Sequence, residues 1–182
     1  MKENYLMKKT LFYVIILMFV VVFFECAFDT AVQSTETPAV GMANPWVETD
    51  AEGLMKTLGL QFDVPENAED VVYRMNKSEK MAEMKFVLND MPFTARIKPA
   101  ALEMEDISGL HYKWDVEEES EQHWHQEKIM RAKDGKDTVE AILWFDIVPG
   151  LTYSLSTKAP DLDGFDIVAV AQMVWHQAQG DD

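Results

Sequence analysis

Cysteine is almost missing from this chain. Cys26 stands alone among 182 residues, which excludes any intramolecular disulfide and any cysteine-rich zinc site. Glycine is scarce too: its eight residues are scattered singly, so no loop can cradle a phosphate with successive backbone N–H groups. Neither H-E-x-x-H nor G-x-S-x-G occurs, and no motif calls for a cofactor. Positive charge is short, with 16 Lys and Arg against 32 Asp and Glu, a net charge of −16 and a pI near 4.5. A chain this acidic repels phosphate backbones, which speaks against nucleic acid as a partner. What is plentiful is apolar: 48% of residues are hydrophobic, too many for a disordered acidic chain.

The longest apolar run lies at the start. Lys2, Lys8 and Lys9 precede Leu11–Phe24 (LFYVIILMFVVVFF), a stretch of signal-peptide length. As a helix those residues would reach roughly 21 Å, short of the ~30 Å hydrocarbon core. Cys26 follows directly, and a cysteine placed there resembles the lipidated cysteine of bacterial lipoprotein signals. The resemblance implies Cys26 as a lipid anchor. Such signals carry a small residue before the cysteine, whereas this chain has Glu25. Two other routes therefore stay open. In one, residues 1–28 form an uncleaved anchor with Cys26 buried among its apolar neighbours. In the other, cleavage falls after Gly41, where Ala39 and Gly41 give a small-x-small pattern. Translation starts at Met1 or at Met7, whose Met7-Lys8-Lys9-Thr10 opening is the more compact basic segment. Residues 29–45 (Thr, Ser, Ala and Pro without an apolar period) read as a flexible linker. The first 28 residues hold three lysines and two glutamates, which leaves 13 basic and 30 acidic side chains, a net −17, for the exported part. Export and membrane anchoring through the N-terminal segment, with the rest facing outward, is the expected localisation.

Residues 46–178 read as one α+β domain. A short helix is expected over TDAEGLMKTLGL: Thr49 and Glu52 have capping-box spacing, Leu54 and Leu58 share a face, and Gly59 suits the C-cap. Period-two alternation then takes over. Val71, Tyr73 and Met75 share one face of a strand, Met84, Phe86 and Leu88 that of the next, and Phe93, Ala95 and Ile97 follow the Asn89-Asp90 turn. Leu110, Tyr112, Trp114 and Val116 alternate with polar residues, which predicts a half-buried strand. After the Asp134-Gly135 turn, Val139, Ala141, Leu143, Phe145 and Ile147 line one face, with Ile142 and Trp144 on the other. Pro149-Gly150 leads into Leu151, Tyr153 and Leu155. Ile167, Val170, Ala171 and Val174 restore helical period at the end. The expected fold is a single antiparallel sheet of six to seven strands, largely a meander, with an N-terminal and a C-terminal helix.

Several residue groups are candidates for chemistry. His123 and His125 are two apart, so on a strand both imidazoles would point to one side and could hold a metal, with Glu121 and Glu127 extending that face. Glu117–Glu121 is a charge run that reads as a solvated turn. Asp161–Asp166 has the outline of a calcium loop, but its glycine is fourth rather than sixth and Gln172 stands at position twelve. A cap for the last helix is the better account. Trp46, Trp114, Trp124, Trp144 and Trp175 offer ring faces for core packing or for stacking on a glycan or peptide. Arg96, beside Thr94 and Lys98 on a polar strand face, suits a carboxylate partner.

The stretches NPWVETDAEGLMKTLGLQFDVPENAEDVVY, EMKFVLNDMPFTARI, EDISGL and LWFDIVPGLTYSLSTKAPDLDGFDIVAVAQMVW resemble an uncharacterised family of secreted or lipoprotein-like domains of Gram-positive bacteria. The resemblance covers most of residues 44–176. It implies a small extracytoplasmic α+β domain and brings no catalytic residues with it. The expected function is non-enzymatic: binding or scaffolding a cell-envelope protein or glycan. The alternative is a small-ligand, glycan or metal-binding module built around Trp124, His123 and His125.

Overall fold

The computed structural model describes residues 44–100, 103–122, 125–147 and 149–175. The leader and linker expectations, Cys26 included, lie outside these residues. Eight strands form one antiparallel sheet: β1 (Trp46–Thr49), β2 (Glu69–Asn76), β3 (Met81–Leu88), β4 (Met91–Pro99), β5 (Val116–Gln122), β6 (His125–Asp134), β7 (Asp137–Asp146) and β8 (Leu151–Ala159). Two short helices accompany them, α1 (Ala51–Leu58) and α2 (Ile167–Val174). The strand order is β1-β2-β3-β4-β8-β7-β6-β5. The α+β class and the single antiparallel sheet hold, while the strand count is eight rather than six to seven. Two four-strand meanders meet where β4 pairs with β8, in register from Phe93↔Thr157 to Pro99↔Leu151. Neither helix is long and apolar enough to cross a membrane.

Pleating sorts the side chains. Met84, Ala95, Leu155 and Ile142 oppose one another strand by strand and lie on the face that the helices cover. There Leu54 of α1 and Ile167, Val170, Ala171 and Val174 of α2 join the main core. Burying each Val or Ile there contributes about 2 kcal/mol before entropy is counted. Asp50 caps α1, its carboxylate accepting from Gly53 N–H at 2.7 Å, and Gly59 closes the helix at φ 69°. The cap is thus Asp50 rather than Thr49, which is the last residue of β1. Asp166 caps α2 by accepting from Ala169 N–H at 3.1 Å, in keeping with the capping account of Asp161–Asp166. Asn89 and Asp90 both take positive φ (51° and 61°), the conformation that a two-residue hairpin turn demands and that Asn and Asp tolerate.

The opposite face is roofed by residues 103–115, and here two expectations fail. Leu110–Trp114 is not a strand. It crosses the sheet, with Met104, Leu110 and Trp114 packed on Met130, Ala141 and Leu143, so its alternating burial comes from lying on a sheet rather than pairing within one. Glu117–Glu121, read as a solvated turn, belongs instead to edge strand β5. Lys128 makes that possible by reaching Glu117 at 2.6 Å and Glu119 at 3.1 Å from the neighbouring strand. A charged outer strand also discourages edge-to-edge pairing with other chains. Glu83, fully buried on β3, lies under the same roof between Arg74 and Arg96.

Candidate functional site

A recess opens on the helix face, where the C-terminal half of α2 meets β6 and β7. β7 supplies Ile142 and Trp144, α2 supplies Val168, Ala171 and Gln172, and Trp175 follows the helix. Glu127 stands on β6 directly opposite Trp144 and completes the wall. The recess is half open and small, with a cavity volume of about 50 Å³.

Its geometry follows from strand pleat and helix placement. Alternation on β7 sends Ile142 and Trp144 toward α2, while Ala141 and Leu143 go to the roof side. Ala171 lets the helix approach the sheet, and the chain leaves α2 at Trp175, whose N–H bonds back to Ala171 O at 3.0 Å. The indole of Trp144 stacks on the Tyr153 ring with centroids 4.9 Å apart and planes 2° from parallel. Trp175 lies close enough to the Tyr153 hydroxyl to act on its ionisation, so both tryptophans gather around one tyrosine. The buried Nε1 of Trp144 has no partner among the described residues.

Acidic residues act on this corner. Burial raises the Tyr153 pKa first, and the charges of Asp146 and Asp63 raise it further, while the Trp175 side chain works the other way. Glu127 accepts a 2.6 Å hydrogen bond from Ser120 on β5. Glu127 therefore lines the recess, while Asp146 and Asp63 act on Tyr153. The C-terminal, partially negative end of α2 points to the same corner, and no basic residue occupies the last turn of that helix. Arg131, four residues beyond Glu127 on β6 and on its face, is bonded to Glu140 at 3.0 Å.

A second polar site surrounds that Arg131–Glu140 pair near the start of α2. Glu140 is almost wholly buried, its pKa is raised by burial above the effect of Arg131, and Asp166 pushes in the same direction. Its Oε2 and the Arg131 Nε have no partner among the described residues.

The sequence candidates divide as follows. Trp144 and Trp175 come together at the recess. Trp46 lies over the guanidinium groups of Arg74 and Arg96, at 5.6 and 5.3 Å, and Trp114 packs under the roof. Arg96 has its carboxylate partner, Glu83, at 2.9 Å. His125 opens β6 opposite Asp146. His123 and Trp124 lie outside the described residues, and so does the metal expectation for His123 and His125. Among the described residues no three His, Cys, Asp or Glu side chains converge as a metal site. Gln172 and Val168 carry no motif that marks them in the sequence. Position is the only signal for them, since both flank the buried stripe of α2. Comparison with protein-family models, curated proteins and solved structures finds no match to the chain.

Proposed function

We propose that this chain is a membrane-tethered, outward-facing binding domain without catalytic chemistry of its own, and that it holds a cell-envelope component at the recess beneath α2. The observation that carries the reading is the pairing of Trp144 and Trp175 around Tyr153 beside an open apolar recess. Apart from Glu127 the lining is indoles, aliphatic side chains and an amide, and a few polar groups on a largely apolar concavity are what ligand sites have in common. The basic and apolar N-terminus supports the tether. A net charge of −17 beyond residue 28 keeps such a domain soluble and away from anionic polymers.

A photo-crosslinking residue in place of exposed Gln172, introduced in the native cell, tests the reading. One dominant adduct, lost on Trp175→Ala and absent with the crosslinker at Lys56 on α1, is the expected result. The same scatter of envelope proteins from both positions overturns it. The tether is tested separately by Cys26→Ser and membrane fractionation. Release or accumulation of precursor identifies lipidation, and unchanged membrane retention identifies an uncleaved anchor.

A further inference from the structure

Asp-Gly occurs twice in the chain, as Asp134-Gly135 and Asp163-Gly164. Independently of the recess, we infer that Asp163-Gly164 is a site of spontaneous isomerisation to isoaspartate, and that Asp134-Gly135 is protected from the same reaction by its neighbours. The chemistry needs no reagent beyond water. The Gly164 backbone nitrogen attacks the side-chain carboxyl carbon of Asp163. A C–N bond forms, a C–O bond breaks, and the carboxyl hydroxyl leaves as water with the amide proton. The cyclic succinimide then takes up water at either carbonyl. Opening at one restores aspartate, and opening at the other gives isoaspartate of the same mass, with the main chain running through the side-chain carbon. Glycine favours the attack because no Cβ shields its nitrogen.

The two pairs look alike in the sequence, and the structure separates them. Asp163 and Gly164 are exposed and lie outside every strand and helix. Phe165 N–H donates to Leu162 O at 3.1 Å across them, and Gly164 takes φ +73°, as glycine does in a type II turn. The Asp163 N–H is bonded to Asp161 Oδ1 at 2.9 Å. Among the described residues, however, neither the Asp163 carboxylate nor the Gly164 N–H has a hydrogen-bond partner. The space where a Gly164 Cβ would stand is open, which leaves room for the ring. Asp134 is restrained instead. Its Oδ2 accepts from Lys158 Nζ at 2.8 Å and from the Tyr112 hydroxyl at 2.9 Å, and Asp134 pairs with Asp137 at the closed end of its hairpin. Lys158 first, then Tyr112, hold this carboxyl below the ordinary aspartate range, and the ionised form is the poorer electrophile. The same bonds oppose the rotation that ring closure requires. Isoaspartate at Asp163 would lengthen the main chain just ahead of the Asp166 cap of α2.

The test ages the full chain in a neutral detergent at neutral pH and physiological temperature, folded and in urea. Isoaspartate is then located by digestion and backbone fragmentation in a mass spectrometer. In the folded chain it is expected to accumulate at Asp163 at least about fivefold faster than at Asp134, whereas in urea the two rates should come within about twofold, because local structure no longer separates them. Lys158→Met should raise the rate at Asp134 by about threefold or more, since it removes a bond to the ionised carboxylate. Asp163→Glu, whose longer side chain disfavours the ring, should abolish the signal at that position. Equal rates at the two pairs in the folded chain, or a faster Asp134, overturn the inference. So does isoaspartate at both pairs in urea with none at Asp163 in the folded chain. An unchanged rate at Asp134 in Lys158→Met overturns the protection assigned to that lysine. The main comparison is between two sites of one wild-type chain, so it does not depend on any variant folding.

Discussion

Glu83 and Arg96 face each other across β3 and β4 as register partners and are joined at 2.9 Å on the roofed side of the sheet. Arg74, opposite Glu83 on the other neighbouring strand, closes the triad. A buried carboxylate between two guanidiniums is tolerated because each oxygen receives charge-assisted donors. Removing the carboxylate alone leaves two like charges under Trp46. Glu83→Leu is therefore expected to cost about 3 kcal/mol in urea unfolding. The triple variant Arg74→Met, Glu83→Leu, Arg96→Met should recover most of that loss, since apolar replacement of a complete buried ion cluster is often neutral or better. A triple variant no more stable than the single one would show that the triad contributes net stability.

Gly109 holds the roof over that triad. Its φ is +67°, and a Cβ there would come within 2.1 Å of the Arg96 Nη1, while the same Nη1 donates to Ile107 O at 3.1 Å. Gly109→Ala combines a left-handed backbone, costing about 1–2 kcal/mol, with displacement of the guanidinium. A loss of about 2 kcal/mol or more is expected. It should shrink when Arg96→Met is also present, since the two sites share one contact. Strict additivity in that double-mutant cycle would mean that Gly109 and Arg96 act separately.

Much of this arrangement is legible in the chain's own patterning. Alternation sets the face of Met84, Phe86, Phe93, Ala95, Tyr153 and Leu155, because a one-residue slip would turn the whole apolar set to solvent. The stripe of α2 is equally plain. Strand β5 is hidden because its stability comes from Lys128 on the neighbouring strand rather than from its own glutamates. Leu110–Trp114 misleads for the converse reason: alternation reports one buried side, and a segment lying flat on a sheet has one too. The recess is half legible. Its tryptophans are visible in the sequence, but their meeting depends on α2 crossing β7 with its C-terminal half over Trp144, which no local pattern encodes.

Asp166 connects the end of the sheet to α2. It accepts from Ala169 N–H, and such caps contribute about 1 kcal/mol over alanine. Asp166→Ala is expected to lower stability by about that amount, and Asp166→Asn to be close to neutral, because Asn accepts the same bond. Equal losses in both variants, read from thermal melts, would mean that charge rather than capping is what Asp166 supplies.

Glu140 carries the pH dependence. Burial raises its pKa, Arg131 offsets part of the rise and Asp166 adds to it, so the folded protein holds this proton to higher pH than the unfolded chain does. Between the ordinary glutamate value and the raised one, the native state binds more protons, and stability must rise as pH falls. The contribution is complete below the ordinary value and is lost as pH climbs through the raised one. Glu140→Gln cannot titrate, so the stability of wild type relative to this variant should improve as pH falls through the raised value toward the ordinary glutamate value. Taking the difference cancels the other carboxylates, which both proteins share. Asp166→Asn, by removing the neighbouring negative charge while keeping the cap, should flatten the same slope. Urea unfolding of the three proteins across this range checks both outcomes. A wild-type-to-Gln difference independent of pH would mean that Glu140 ionises in the fold as readily as in the open chain, and the buried Arg131–Glu140 pair would then have to be charged and fully satisfied throughout.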